Sequence, residues 1–126
     1  MITRGKQFSV LGAGRSGVAV ARLLKKRRAR VFISDTASLS KMKEVAKELE
    51  EMGVEYEFGK NTHRVLDAEI IVISPGVPLD SPIVTLARER GIKIIIRPAN
   101  CDIDPNVLHT DGVAIVIIQN SRESAL

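Results

Sequence analysis

The sequence predicts an α/β fold: a doubly wound, five-stranded parallel sheet in the order 3-2-1-4-5, with an additional strand-like segment toward the C-terminus. Three observations lead there. Short apolar runs alternate five times with segments of helical period, the pattern of parallel strands joined by crossovers. Of the 126 residues 44% are apolar, enough for one core of ordinary size. Aromatics make up only 3%, with no Trp, so the core has to be aliphatic and β-branched, as in strands covered on both faces. Right-handed crossovers then make 3-2-1-4-5 the expected order.

The elements follow in turn. Gln7-Phe8-Ser9-Val10-Leu11 is a first strand that stops at Gly12, and residues 15–26 carry Val18, Val20, Ala21, Leu23 and Leu24 on a helical face. Residues 30–34 form a second strand ending at Asp35. Ser38 or Ser40 is placed to cap a helix whose apolar positions Met42, Val45, Ala46, Leu49 and Met52 keep the 3.6 period, with Gly53 as its C-cap. Residues 54–58 alternate as a half-exposed strand near a sheet edge, and residues 61–66 form a short helical turn. Residues 69–73 are a buried strand broken by Ser74-Pro75-Gly76. Ser81-Pro82 reads as N-cap and first helical residue of a helix closed by Gly91, and residues 92–96 are the fifth strand.

Beyond this domain, residues 1–96, the pattern changes. Pro98 and Pro105 flank a turn-rich stretch, Asn100-Cys101-Asp102-Ile103-Asp104, and residues 113–118 form a sixth apolar run. That run is expected to join the sheet beside the fifth strand or to pair with another chain, because an open apolar strand edge is an association site. Residues 97–126 are thus expected to be a diverged or truncated extension packed on or beside the domain.

The net charge of +4 arises from one spot: five of the nineteen basic residues fall within residues 25–30, and without them the balance would be −1. Cations at the C-terminal end of a helix complement its dipole, so the cluster reads as a solvated helix end. With no second basic stripe and few aromatics to stack on bases, no nucleic-acid partner is expected. No apolar run approaches the roughly 18 residues of a membrane span, and the N-terminus has no signal-peptide pattern, so a cytoplasmic protein without membrane contact is expected. The single Cys101 cannot form an internal disulfide, and His63 and His109 lack metal-ligand spacing. Neither a metal site nor a catalytic residue is expected.

Gly12-Ala13-Gly14-Arg15-Ser16-Gly17 matches G-x-G-x-x-G in the setting the motif needs, after a strand and opening a helix. Gly12 permits the turn, Gly14 lets backbone approach a phosphate, and Gly17 lets helix and strand pack closely. Free N–H groups and the helix dipole favour an anion there. Arg15 either adds a cation or stands as an exposed first-turn side chain. Asp35 lies about 20 residues on, where Rossmann-like folds hold a ribose hydroxyl; the alternative is an Asp that shapes its own turn. Ser74, Pro75 and Gly76 border the same crevice from the fourth strand.

Together, Val-Leu-Gly-Ala-Gly-Arg-Ser-Gly at 10–17, Ser-Asp-Thr at 34–36, Val-Ile-Ser-Pro-Gly-Val-Pro at 72–78, the Ser-Pro helix and Gly-Ile-Lys-Ile at 91–94 resemble the amino-terminal domain of the Mur ligases. The resemblance is closest to the UDP-N-acetylmuramoyl-L-alanine:D-glutamate ligases of peptidoglycan synthesis and covers about residues 5–96. It implies a Rossmann-like domain that binds the UDP part of a muramoyl substrate. Diphosphate contacts would come from Gly14, Arg15, Ser16 and Gly17, uracil or ribose contacts from Asp35 and Thr36, and a flank of the pocket from Ser74, Pro75 and Gly76.

The family continues into a phosphate loop of the form T-G-T-[ND]-G-K-[ST] that begins its ATP-binding domain. Here residues 113–115 resemble the preceding strand, but residues 116–126 hold neither glycine nor lysine. Without them the backbone cannot wrap ATP phosphates and their cation is missing. ATP and Mg²⁺, used by the full-length family, are therefore not expected as cofactors of these residues, and the fragment alone is expected to bind the UDP-sugar without ligating it. Two other readings stand beside this one: an NAD(H)-binding regulatory or dehydrogenase module that uses the same loop and Asp35, and a non-binding remnant of the fold that self-associates through Val113–Ile118.

Overall fold

In a computed structural model, residues 4–96 are described in full, together with the strand backbones at 107–110 and 113–118. Seven strands form one sheet: β1 (Gln7–Leu11), β2 (Arg30–Asp35), β3 (Glu55–Phe58), β4 (Ile70–Ile73), β5 (Lys93–Ile96), β6 (Val107–Thr110) and β7 (Val113–Ile118). Their order is β3-β2-β1-β4-β5-β7-β6. The first five are parallel in the expected 3-2-1-4-5 order. β7 runs antiparallel to β5, and β6 antiparallel to β7. Residues 113–118 thus have sheet partners on both sides, and β6 is a strand that the sequence pattern did not reveal. The turn-rich stretch with Cys101 and the segment after residue 118 lie outside the described residues.

Alternation along the strands separates two cores. Phe8, Val10, Val31, Ile33, Ile70 and Val72 point to one face, where α1 (Arg15–Lys26) and α2 (Lys43–Met52) supply Val20, Leu23, Leu24 and Leu49. Leu11, Phe32, Ile71 and Ile73 point to the other, covered by α3 (Pro82–Glu89) through Ile83, Val84 and Ala87. Beneath β1 and β2 that second face is closed by a 3-10 turn (His63–Asp67) contributing Val65 and Leu66. Such a turn brings backbone polar groups toward the sheet, and these need partners. Two serines in otherwise apolar strands, Ser9 and Ser34, are fully buried on this face, and Ser9 Oγ donates to the Val65 carbonyl at 2.8 Å.

One boundary differs from expectation. Ser38 precedes a 3-10 turn (Leu39–Lys41), and α2 begins only at Lys43 with Met42 as its N-cap. Ser38 and Ser40 hydroxyls lie 3.0 Å apart, bonded to each other, so neither caps the helix. The far end of α2 follows the sequence: Gly53 takes the left-handed conformation, φ +73°, which costs a glycine little.

Candidate functional site

The C-terminal ends of β1, β2 and β4 meet where the strand order reverses, the place where open α/β sheets leave a crevice for a ligand. An open cleft of about 460 Å³ lies there. All nine predicted site residues line it: Gly14 before α1 with Arg15, Ser16 and Gly17 from its first turn, Asp35 ending β2 with Thr36 after it, and Ser74, Pro75 and Gly76 after β4.

The three motif glycines have different reasons to be glycine. Gly12 has φ +98°, and a Cβ there would stand 3.0 Å from Ser74 Cβ. At Gly17 a Cβ would lie 1.8 Å from the Gly12 carbonyl oxygen, which no relaxation of a side chain relieves. Both are fixed by the fold. Gly14 is not: its backbone is extended at φ −73° and ψ −172°, open to any residue, and a Cβ would meet nothing within 4 Å. Gly14 caps α1, whose first turn has neither a side-chain cap nor an acidic residue. The N–H groups of that turn therefore face the cleft with the positive end of the helix dipole. Arg15, exposed on the same turn, makes no ion pair among the described residues.

Asp35 and Ser74 are more engaged than a ligand role alone requires. Asp35 Oδ2 accepts from Ala13 N at 2.7 Å, across to the glycine loop, and Oδ1 accepts from Ala37 N at 2.8 Å within its own turn. Ser74 Oγ donates to the Gly12 carbonyl at 3.3 Å. The two walls thus brace the loop between them. Each carboxylate oxygen keeps a further lone pair for a ribose hydroxyl, so bracing and binding are compatible.

The sequence did not single out Ser34 and Asn61, which also line the cleft. Ser34 Oγ lies 2.7 Å from Glu57 Oε2 and 2.7 Å from Asn61 Oδ1. Glu57 also accepts from Thr62 N at 2.7 Å and from Thr62 Oγ1 at 2.5 Å. Burial pushes the Glu57 carboxyl up, but the Thr62 and Ser34 hydrogen bonds and the nearby Arg64 charge outweigh it and hold the group below its ordinary value. No local signal marks these residues, because the contacts join positions 23 and 27 residues apart.

Comparison with known proteins is consistent across the domain. The family model described as Mur ligase MurD-like, N-terminal domain, matches residues 6–96. The chain is 39% identical over 92 residues to a UDP-N-acetylmuramoylalanine–D-glutamate ligase of Chlorobaculum tepidum, covering 73% of this chain and 19% of that protein. It is 44% identical over 91 residues to the Salinibacter ruber enzyme of the same name, covering 72% and 19%. The chain spans about a fifth of the length of these curated relatives. Among solved structures, the translation initiation factor eIF-2B of Pyrococcus horikoshii aligns with a TM-score of 0.53 at 17% identity, over 92% of this chain and 52% of that one; this likeness concerns the fold alone.

Proposed function

Because the chain belongs to the MurD-like amino-terminal domain family of the Mur ligases, we propose that its cleft binds the uridine diphosphate part of UDP-N-acetylmuramoyl-L-alanine, as the substrate-holding domain of a D-glutamate-adding ligase. The observation that carries the proposal is Gly14. Neither its backbone angles nor its packing calls for glycine, and the missing side chain leaves the backbone there open to a group approaching from the cleft. A diphosphate at that point is held by N–H groups of the first turn of α1, with Arg15 beside it as a cation. Asp35 and Thr36 take the uracil or the ribose, and Ser74, Pro75 and Gly76 close the opposite flank. Asp35 and Ser74 keep the loop in shape before the ligand arrives, which lowers the ordering cost of binding.

Titration of the 126-residue chain with UDP-N-acetylmuramoyl-L-alanine and, separately, NADH, followed by amide chemical shifts, tests this. The expected result is saturable shifts at Gly14 and Asp35 with the UDP-sugar. Tight NADH binding without a response to the UDP-sugar overturns the proposal in favour of a dinucleotide module. Silence toward both, with a mass that grows with concentration, overturns it in favour of a self-associating remnant. No ATP-dependent phosphate release is expected from these 126 residues alone.

A further inference from the structure

We infer that the end of the molecule opposite the cleft is a docking surface for an anionic lipid bilayer, formed by Arg4, Lys26, Arg28 and Arg30. The first observation is how the helices stop. Each of α1, α2 and α3 is closed by a residue in the left-handed conformation: Arg28 after α1 at φ +64°, Gly53 after α2 at φ +73° and Gly91 after α3 at φ +72°. The closing hydrogen bonds match, with Ala29 N donating to Leu24 O at 3.0 Å, Val54 N to Leu49 O at 2.9 Å and Ile92 N to Ala87 O at 3.1 Å. Glycine is at ease in this conformation, and a residue with a Cβ is strained there. Arg28 is the one non-glycine residue at positive φ among the described residues. In place of the glycine that α2 and α3 use, α1 therefore carries a cation, and strain of this kind points to a role for the side chain.

The second observation is a surplus of charge. A cation at a helix C-terminus complements the dipole, but one is enough here. Helix α3 has Arg88 in its last turn; α2 has no basic residue in its own and borrows Lys25, whose Nζ lies 3.9 Å from the place of a Cβ on Gly53. Lys26, Arg28 and Arg30 remain. The fold adds Arg4, because Gly5 N donates to Arg28 O at 3.0 Å and Arg30 N to Lys6 O at 2.8 Å, which draws the N-terminal segment against the end of α1. All four are exposed and make no ion pair among the described residues, whereas Lys6 is taken by Glu69 at 3.7 Å.

Four unpaired cations with no aromatic residue among them offer charge without shape. A nucleic acid is tracked along a stripe or groove with groups that stack on its bases, but this corner is bounded by Glu50 and Glu51 at the end of α2 and Glu55 at the start of β3. Anionic lipids move laterally and gather beneath a small patch, where each Lys or Arg strengthens binding about fivefold, the equivalent of about 1 kcal/mol. Such a contact needs no apolar span, and the cleft, at the other end of the strands, stays open to solution.

Co-sedimentation of the 126-residue chain with lipid vesicles tests the inference. Binding is expected to vesicles of equal parts phosphatidylglycerol and phosphatidylcholine, to fade as salt rises, and to be absent with phosphatidylcholine alone. Arg28→Gly should weaken it about fivefold and at the same time raise the urea midpoint, because glycine relieves the left-handed backbone. The double variant Lys26→Gln, Arg30→Gln should weaken it about 25-fold. Lys43→Gln removes the same charge from the first turn of α2, away from the patch, and should leave binding unchanged. Equal losses in Lys43→Gln and Arg28→Gly would trace the effect to net charge and overturn the inference. No preference for the anionic vesicles, or tighter binding to duplex DNA through the same four residues, overturns it as well. If Arg28→Gly unfolded more readily than the unsubstituted chain, the arginine would belong to the fold and the inference would fall.

Discussion

On the side of the cleft formed by β2 and β3, several polar side chains are already tied into the protein. Asp35 holds Ala13 and Ala37, and Ser34, Glu57 and Thr62 hold the Asn61 loop. On the side formed by β4 and α3 the ties are sparser: Ser74 reaches Gly12, while Ser81 Oγ is buried without a partner among the described residues. The difference is in how far each wall is set before any ligand arrives. A wall whose donors and acceptors are fixed beforehand can discriminate between ligands that differ by one hydrogen bond, whereas a lightly tied wall contributes shape.

The largest expected effects probe the glycine loop where the two walls meet. Gly17→Ala places a methyl group 1.8 Å from the Gly12 carbonyl oxygen, and separating helix from strand should cost about 3 kcal/mol or more in urea unfolding. Gly14→Ala meets no atom of the protein, so it should cost about 1 kcal/mol or less, as a slightly poorer helix cap. UDP-sugar affinity should nevertheless fall at least about tenfold, the equivalent of 1.4 kcal/mol. Equal stability losses for the two substitutions would remove the distinction between a glycine required by the fold and one reserved for a ligand.

Much of this was legible in the sequence, for a physical reason. Strands such as Ile70–Ile73 and helices such as Arg15–Lys26 are marked by periodicity, and the topology then carries the ends of β1, β2 and β4 to one crevice. All nine predicted residues meet there because three local signals share one global geometry. The hydrogen-bonded wall was hidden for the converse reason. Ser9 and Ser34 look like tolerated polar positions inside apolar strands, and only the folded chain shows that each secures the 59–67 segment over the part of the second face that lies beneath β1 and β2. The capping serines misled in the other direction, since Ser38 and Ser40 satisfy each other and a 3-10 turn delays α2 to Lys43.

The tied wall should also be visible in the pH dependence of stability, as an effect smaller than the glycine clash. The folded state holds the Glu57 carboxyl below its ordinary value of 4.5, so the folded protein binds its proton less readily than the unfolded chain does. The contribution is fully present above about pH 4.5 and is lost as the pH falls through the folded value. Urea midpoints between pH 7 and pH 3 should therefore decline with acidification more in the native sequence than in Glu57→Gln, which has no proton to gain. Parallel curves would show that the Glu57 network contributes no pH-dependent stability.

The smallest effect is expected on the other wall, at Ser81. A serine at a helix N-cap ordinarily accepts a backbone N–H from the first turn, and losing that bond costs about 1 kcal/mol. Ser81 has the extended backbone of a cap, φ −62° and ψ 152°, but makes no side-chain cap bond, and its hydroxyl is buried without a partner. Replacing it with alanine keeps the backbone and removes a polar group that already bears its desolvation cost, so Ser81→Ala should change stability by less than about 0.5 kcal/mol, with either sign. Thr62 provides the contrast. Its side chain accepts from Arg64 N at 3.3 Å and donates to Glu57 at 2.5 Å, and Thr62→Ala should cost about 1–2 kcal/mol. If the two alanine variants unfolded at the same urea midpoint, Ser81 would have to be as firmly bonded as Thr62, and the β4–α3 side of the cleft would be as firmly tied as the side formed by β2 and β3.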